Sequence, residues 1–221
     1  MAAARRSPGN RAGLDLARII TAAREIAPDA LSMQAVADVL GVDRKALNYH
    51  VGDRETLLGL IAQESFASSF SGVEIAAHAD WREACRIYGR GYAQAVIVTG
   101  SHARHLPPHH ALAGRFLATT EALLLKLTDA GFDDAAAVRS LALLTNICHA
   151  FARDAETSRT NPANTRINLL LGSLSSHGEA AFPNLARITE GGIDTYGDAQ
   201  LDFAIETCIA GMAARLGDAT E

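Results

Sequence analysis

"MQAVADVLGVDRKALNYHV", Met33 to Val51, is the stretch that decides the fold. Counted from Met33, the small residue Ala37 is fifth and Gly41 ninth, while Val36, Leu40, Val42, Leu47 and Val51 stand fourth, eighth, tenth, fifteenth and nineteenth. A helix-turn-helix needs this spacing. The small residue lets two helices cross closely, the glycine turns the chain, and the apolar set seats the second helix on the first. The rest of the second helix, Arg44, Lys45, Asn48, Tyr49 and His50, is left to face outward. A helix of this kind fits the major groove of B-DNA. There Arg44 and Lys45 reach guanine acceptors or phosphates, Asn48 pairs with adenine, and Tyr49 and His50 suit phosphate oxygens or a thymine methyl. Two packed helices with a merely solvated face would carry the same charges, and only the full spacing separates the two readings.

Working outward, helical spacing of Leu16, Ile19, Ile20, Ala23, Ile26 and Ala27 predicts a first helix that ends at Pro28. Ser32 caps the next, Met33 to Leu40, and Gly41 ends it. Asp43 caps Arg44 to about Val51, and Asp53 opens a longer helix towards Phe70. Longer helices are expected over Asp80 to Thr99, His109 to Ala130, Asp133 to about Arg159, Thr165 to His177 and Asp198 to Leu216. The stretches 100 to 108 and about 182 to 197 read as irregular. The expected fold is all-α: a flexible basic arm (1–12), a three-helix reading head with its connecting fourth helix (13–71), and a larger helical body (72–221).

Composition agrees. The chain has 221 residues, of which 48% are hydrophobic and only 5% aromatic, so the apolar content is largely Ala and Leu. The formal charge of −5 is uneven: residues 1 to 60 carry +1 and the remainder −6, with Arg5, Arg6 and Arg11 in the arm. A polyanion would therefore meet the head and not the body. Cys85, Cys148 and Cys208 are far apart and lack a C-x-x-C spacing, which argues against a disulfide framework or zinc site and for a reducing compartment. No apolar leader follows the N-terminal arginines and no run of about 18 uninterrupted apolar residues occurs. A cytoplasmic protein without a membrane role is expected.

"LSMQAVADVLGVDRKALNYHVGDRETLL", residues 31 to 58, resembles the DNA-binding head of the TetR family of bacterial transcriptional repressors, and is closest to its tetracycline-repressor branch. The resemblance continues weakly through the W-R-E at Trp81, the D-A-G-F ending at Phe132 and "FPNLARI" before the last helix. It implies homodimers that bind palindromic double-stranded operators and release them when a small molecule enters the body. By the same resemblance, Ser32 and Gln34 contact backbone and base edges, Arg44, Lys45, Asn48 and Tyr49 read the groove, and His50 and Arg54 grip phosphate. Departures at Lys45, Ala46 and Asn48 leave the operator sequence open.

In the body, Leu201, Ile205, Cys208, Met212 and Leu216 form an apolar stripe, as do Val138, Leu141, Thr145, Cys148 and Ala152. Periodicity allows either a dimer seam or the chain's own core. The resemblance favours a four-helix dimer interface with Leu141, Cys148, Leu201, Ile205, Cys208 and Met212. Candidate effector contacts are Phe66, Phe70, Tyr88, Tyr92, Phe116, Asn146 and His149, with His105 from the histidine-rich stretch 101 to 110. Tetracycline repressors carry a histidine and an asparagine where ungapped counting places Phe70 and Tyr88, which implies a more aromatic or hydrophobic effector here. The histidines have the chemistry to hold a metal, but neither a metal nor a cofactor is expected. Two rivals are a body that docks a protein partner, and a helical enzyme using histidines with Asp154 or Glu156. The enzyme lacks a nucleophile motif, a phosphate loop and paired carboxylates.

Overall fold

The computed structural model describes residues 14–27, 30–106, 116–177 and 181–218. Among the described residues there are ten α-helices and no strand. They are α1 (Leu16–Arg24), α2 (Met33–Leu40), α3 (Arg44–His50), α4 (Arg54–Phe70), α5 (Trp81–Thr99), α6 (Leu117–Asp129), α7 (Asp134–Thr160), α8 (Arg166–His177), α9 (Pro183–Glu190) and α10 (Asp198–Asp218). The arm, Pro28 and the expected helix start at His109 lie outside the described residues. Two segments expected to be irregular contain regular structure. Gly100–His105 is a 3-10 turn, and α9 starts on Pro183, whose missing N–H and fixed φ suit a first helical turn.

The chain divides into two compact units, one built on residues up to Glu64 together with His105, the other on Ser65–Arg104 and the chain towards the C-terminus. The division falls inside α4 and not at residue 71, because the last turns of α4 carry Phe66 and Phe70 into the second unit's core.

In the first unit each helix starts on a side-chain cap. The backbone N–H of Arg18 donates to Asp15, that of Ala35 to Ser32, that of Lys45 to Asp43 and that of Thr56 to Asp53, at 2.7–3.1 Å. Gly41 ends α2 with φ +64°, a left-handed value that favours glycine. Val36, Ala37, Leu47 and Val51 are wholly buried with Ile19 and Leu57, while Leu40 and Val42 pack against them half-buried. Each such Val or Leu stabilises the head by about 1.5–3 kcal/mol.

In the second unit α7 is central, packed against α5, α6 and α10. It is the one helix among the described residues long and apolar enough to suit a membrane span, yet here it serves as this core element. Asp80 and Asp133 cap α5 and α7. Gly131 at φ +101° turns the chain so that Phe132 N–H reaches Leu127 O at 3.2 Å and the Phe132 ring meets Trp81 at 5.2 Å. Gly89 sits at a close approach of α5, α7 and α10: a Cβ there would lie 3.0 Å from Ile205 Cδ1 and 3.3 Å from Cys148 Sγ. α8 and α9 pack mainly on each other.

Candidate nucleic-acid interface and effector site

α3 presents Arg44, Lys45, Asn48, Tyr49 and His50 to solvent above the buried Leu47. Tyr49 is 88% exposed, a value that core packing does not explain, and its ring meets His50 edge-on at 5.4 Å. The side chains of Arg44, Lys45 and Asn48 hold no ion pair or hydrogen bond with the described residues, so their donors are available to an external acceptor. The flanking candidates differ. Ser32 Oγ caps α2, Gln34 Nε2 donates to Asp38 at 2.8 Å, and Arg54 Nε donates to Leu31 O at 2.9 Å. Arg54 thus ties α4 to the turn before α2, and its Nη1 also pairs with Glu55 Oε1 at 3.7 Å.

The second unit holds the aromatic cluster. Phe66 and Phe70 from α4, Tyr88 and Tyr92 from α5, and Phe116 at the start of α6 are 0–5% exposed, with ring centroids 5.0–6.3 Å apart. Helical spacing places Phe66 with Phe70, and Tyr88 with Tyr92, one turn apart on facing helices. Tyr88 Oη and Thr120 Oγ1 are 3.4 Å apart, Thr145 also hydrogen-bonds Tyr88, and Tyr92 Oη and His149 Nδ1 are 3.5 Å apart. Burial pushes both phenol pKa values up, while burial and Arg153 push His149 down, so every group here is neutral near pH 7. Thr120 and Thr145, both partners of Tyr88, were not foreseen as site residues. Thr145 lies one turn before His149 on α7, and that spacing was the available signal.

The body matches the family model described as "Tetracyclin repressor-like, C-terminal domain" over residues 76–216. The chain belongs to the TetR family. Its fold is similar to apo ActR from Streptomyces coelicolor at 25% identity, TM-score 0.76, over 95% of this chain and 100% of that one. The actinorhodin complex of ActR gives 25%, 0.75, 94% and 99%. TetR from Acinetobacter baumannii AYE shares the fold at 21% identity and TM-score 0.62, over 92% and 98%. No curated protein matches the chain in sequence.

Within this TetR-family body one of the expected effector contacts stands apart from the cluster. Asn146 is exposed on α7, because it lies off the α7 stripe that faces α5. His105 belongs to the first unit, where its Nδ1 is 3.1 Å from Glu55 Oε2 on α4. The expected seam residues Leu141, Cys148, Leu201, Ile205, Cys208 and Met212 are 0–7% exposed in the single chain. Their stripes face α5 and each other, so they have little area left for a partner. The opposite faces of α7 and α10 form an open groove of about 1040 Å³, with Leu143, Ile147, Phe203 and Thr207 along it and Cys208 and Met212 at its base. Leu143 is 51% and Phe203 68% exposed. The three cysteines are free, and they converge on the α5/α7/α10 contact. Burial and mutual proximity push Cys85 and Cys148 up to about 12. Asp154 pairs with Arg166, and Glu156 with Arg159 at 2.9 Å, which engages the two acids of the enzyme rival. Among the described residues no group of three or more His, Cys, Asp or Glu is placed to hold a metal.

Proposed function

We propose that this TetR-family protein is a homodimeric, cytoplasmic transcriptional repressor that binds a palindromic operator through α3 and releases it when a small, largely hydrophobic or aromatic effector enters the body. The observation that carries the reading is the exposed, unengaged set Arg44, Lys45, Asn48 and Tyr49 above a wholly buried Leu47. Rigid seating with free donors is what base reading requires. The exposed apolar faces of α7 and α10 support a twofold contact between copies, which would set two reading helices one helical turn apart, about 34–36 Å. The neutral aromatic cluster supports the effector class, and ActR, similar in fold, has been crystallised with actinorhodin and with (S)-DNPA. Control follows from a population shift: the effector binds one arrangement of the body better than the arrangement compatible with the operator.

Selection of genomic DNA fragments by the purified protein at two salt concentrations tests this. The expected result is an enriched palindrome whose affinity falls steeply with salt, since each neutralised phosphate releases counterion. The absence of any enriched sequence would overturn it. A second reading, a body that docks a protein partner, draws on the exposed Leu169, Phe182, Ile188 and Ile193 of the α8–α9 region. It predicts co-purification of a partner and no response to aromatic molecules.

A further inference from the structure

Arg54 opens α4, where a cation faces the positive end of the backbone dipole and needs a compensating partner. Its Nε finds one 23 residues earlier in the chain, donating to the backbone carbonyl of Leu31 at 2.9 Å. Leu31 is 3% exposed and immediately precedes Ser32, the cap of α2, so its carbonyl requires a partner and Arg54 supplies it. The other contact of the guanidinium, Nη1 to Glu55 Oε1 at 3.7 Å, is a loose and exposed pair that holds little. The Leu31 bond therefore closes a ring of chain around α3. That helix has seven residues, too few to hold a direction by itself, and it packs chiefly on α2. At its start the turn fixes it: Val42 N–H donates to Ala37 O at 3.0 Å and Asp43 caps the helix. At its end Val51 is wholly buried, and three residues on, Arg54 is tied back to the entry of α2. Apolar packing is not directional, whereas a hydrogen bond is, so this bond is what sets the angle of the far end of α3.

We propose that Arg54 is a positioning residue for operator reading: through Leu31 O it sets the angle at which α3 meets the groove, and it does not grip the operator backbone. This rests on reading α3 as the DNA-reading helix. Two kinds of DNA contact respond differently to a change of angle. Attraction to phosphate is long-ranged and forgiving, while paired hydrogen bonds to a base edge need both distance and direction. A helix that has lost its strap should therefore keep its affinity for any duplex and lose its preference for one. The side-chain chemistry allows the strap and the charge to be removed separately. Lysine keeps the charge but has a methylene where arginine has Nε, so the donor to Leu31 O is gone from that position. Glutamine loses the charge, but its Nε2 stands the same number of bonds from the backbone as arginine Nε and can still donate.

The test compares full-length wild type, Arg54→Lys and Arg54→Gln on two duplexes, the palindrome recovered from the genomic selection and a scrambled duplex of the same length and composition. Fluorescence anisotropy at a series of salt concentrations reads binding, and dichroism with thermal unfolding reads the fold. Arg54→Lys should bind the palindrome at least about tenfold more weakly, the size of one lost base contact, and the scrambled duplex as wild type does. Arg54→Gln should keep the wild-type preference for the palindrome and the wild-type salt slope. The opposite pattern overturns the proposal: Arg54→Lys like wild type, and Arg54→Gln weaker on both duplexes with a slope reduced by about one, marks a phosphate contact. Variants that melt lower yet keep the preference mark a merely structural bond and overturn it too, as does a folded Arg54→Gln that loses the preference. A wild-type protein that does not distinguish the duplexes refutes the reading of α3 itself, and the proposal falls with it; one that does, alongside an Arg54→Lys that does equally well, refutes the proposal alone.

Discussion

Phe203→Asp separates a dimer seam from a core. Phe203 is 68% exposed in the single chain and borders the groove between α7 and α10, so removing its ring costs the monomer little, within about 0.5 kcal/mol for such a surface position. In a twofold dimer across that groove the ring is buried twice, once from each chain. Burying a phenylalanine is worth about 1.5–3 kcal/mol, so a symmetric pair is worth about 3–6 kcal/mol. That raises the dimer dissociation constant about 10²- to 10⁴-fold, before any cost of burying the new carboxylates. Sedimentation velocity at micromolar concentration should show a folded monomer with an unchanged helical spectrum. Operator binding should weaken steeply, since two heads are no longer held together. Met212→Glu, at a residue 4% exposed, is the contrasting variant: it places a charge at the contact with Cys208 and should unfold the body as well as dissociate it. A Phe203→Asp protein that remains dimeric would refute the seam, and one that unfolds would show the α7/α10 face to be core.

Asn48→Ala should relax specificity at one operator position at a cost of about 1–3 kcal/mol, measured by competition among single-base operator variants, whereas equal loss on every sequence would mean that Asn48 reads no base. Gly89→Val should destabilise the body by about 1–3 kcal/mol in urea unfolding, because its Cβ meets Ile205 at 3.0 Å and Cys148 at 3.3 Å in a contact of three helices. The thiols of Cys85 and Cys148, held neutral by burial, should resist a thiol reagent at pH 8 until the protein is unfolded. The sign of their pH effect follows. Below the ordinary thiol value of 9.0 both states are protonated and nothing is contributed, but above it only the unfolded chain ionises. Stability should therefore fall as pH rises from 9 towards 12, and Cys85→Ala should flatten that fall.

The first unit is legible because its signals are local. Ser32, Asp43 and Asp53 are caps a few residues from the N–H groups they accept, and Gly41 sits where a left-handed residue is needed. Leu47 and Val51 are buried as their spacing predicts. The body is harder, because α7 and α10 are apolar on more than one face. Periodicity picks out the stripe Leu201, Ile205, Cys208, Met212 but does not say whether α5 or a second chain covers it, and in the structure it packs within the chain. The exposed Phe203 and Leu143 break the regular stripe, which is why a search for regularity passes over them. The convergence of three cysteines from α5, α7 and α10 is a long-range fact with no local signature. α9 was missed for the opposite reason: at eight residues, between Phe182 and Gly191, it is too short to show a period.

A closed aromatic site and a continuous α4 together limit how control can work. α4 runs unbroken from Arg54 to Phe70, with its N-terminal part in the first unit and Phe66 and Phe70 in the second. On the proposed function, α4 is the segment that would carry a shift of the two rings towards Arg54, which is bonded to Leu31 at the entry to α2. Under the proposed function an effector would supply free energy for two purposes, opening the cluster and disfavouring the operator-bound arrangement. Only the difference in its affinity for the two arrangements serves the second.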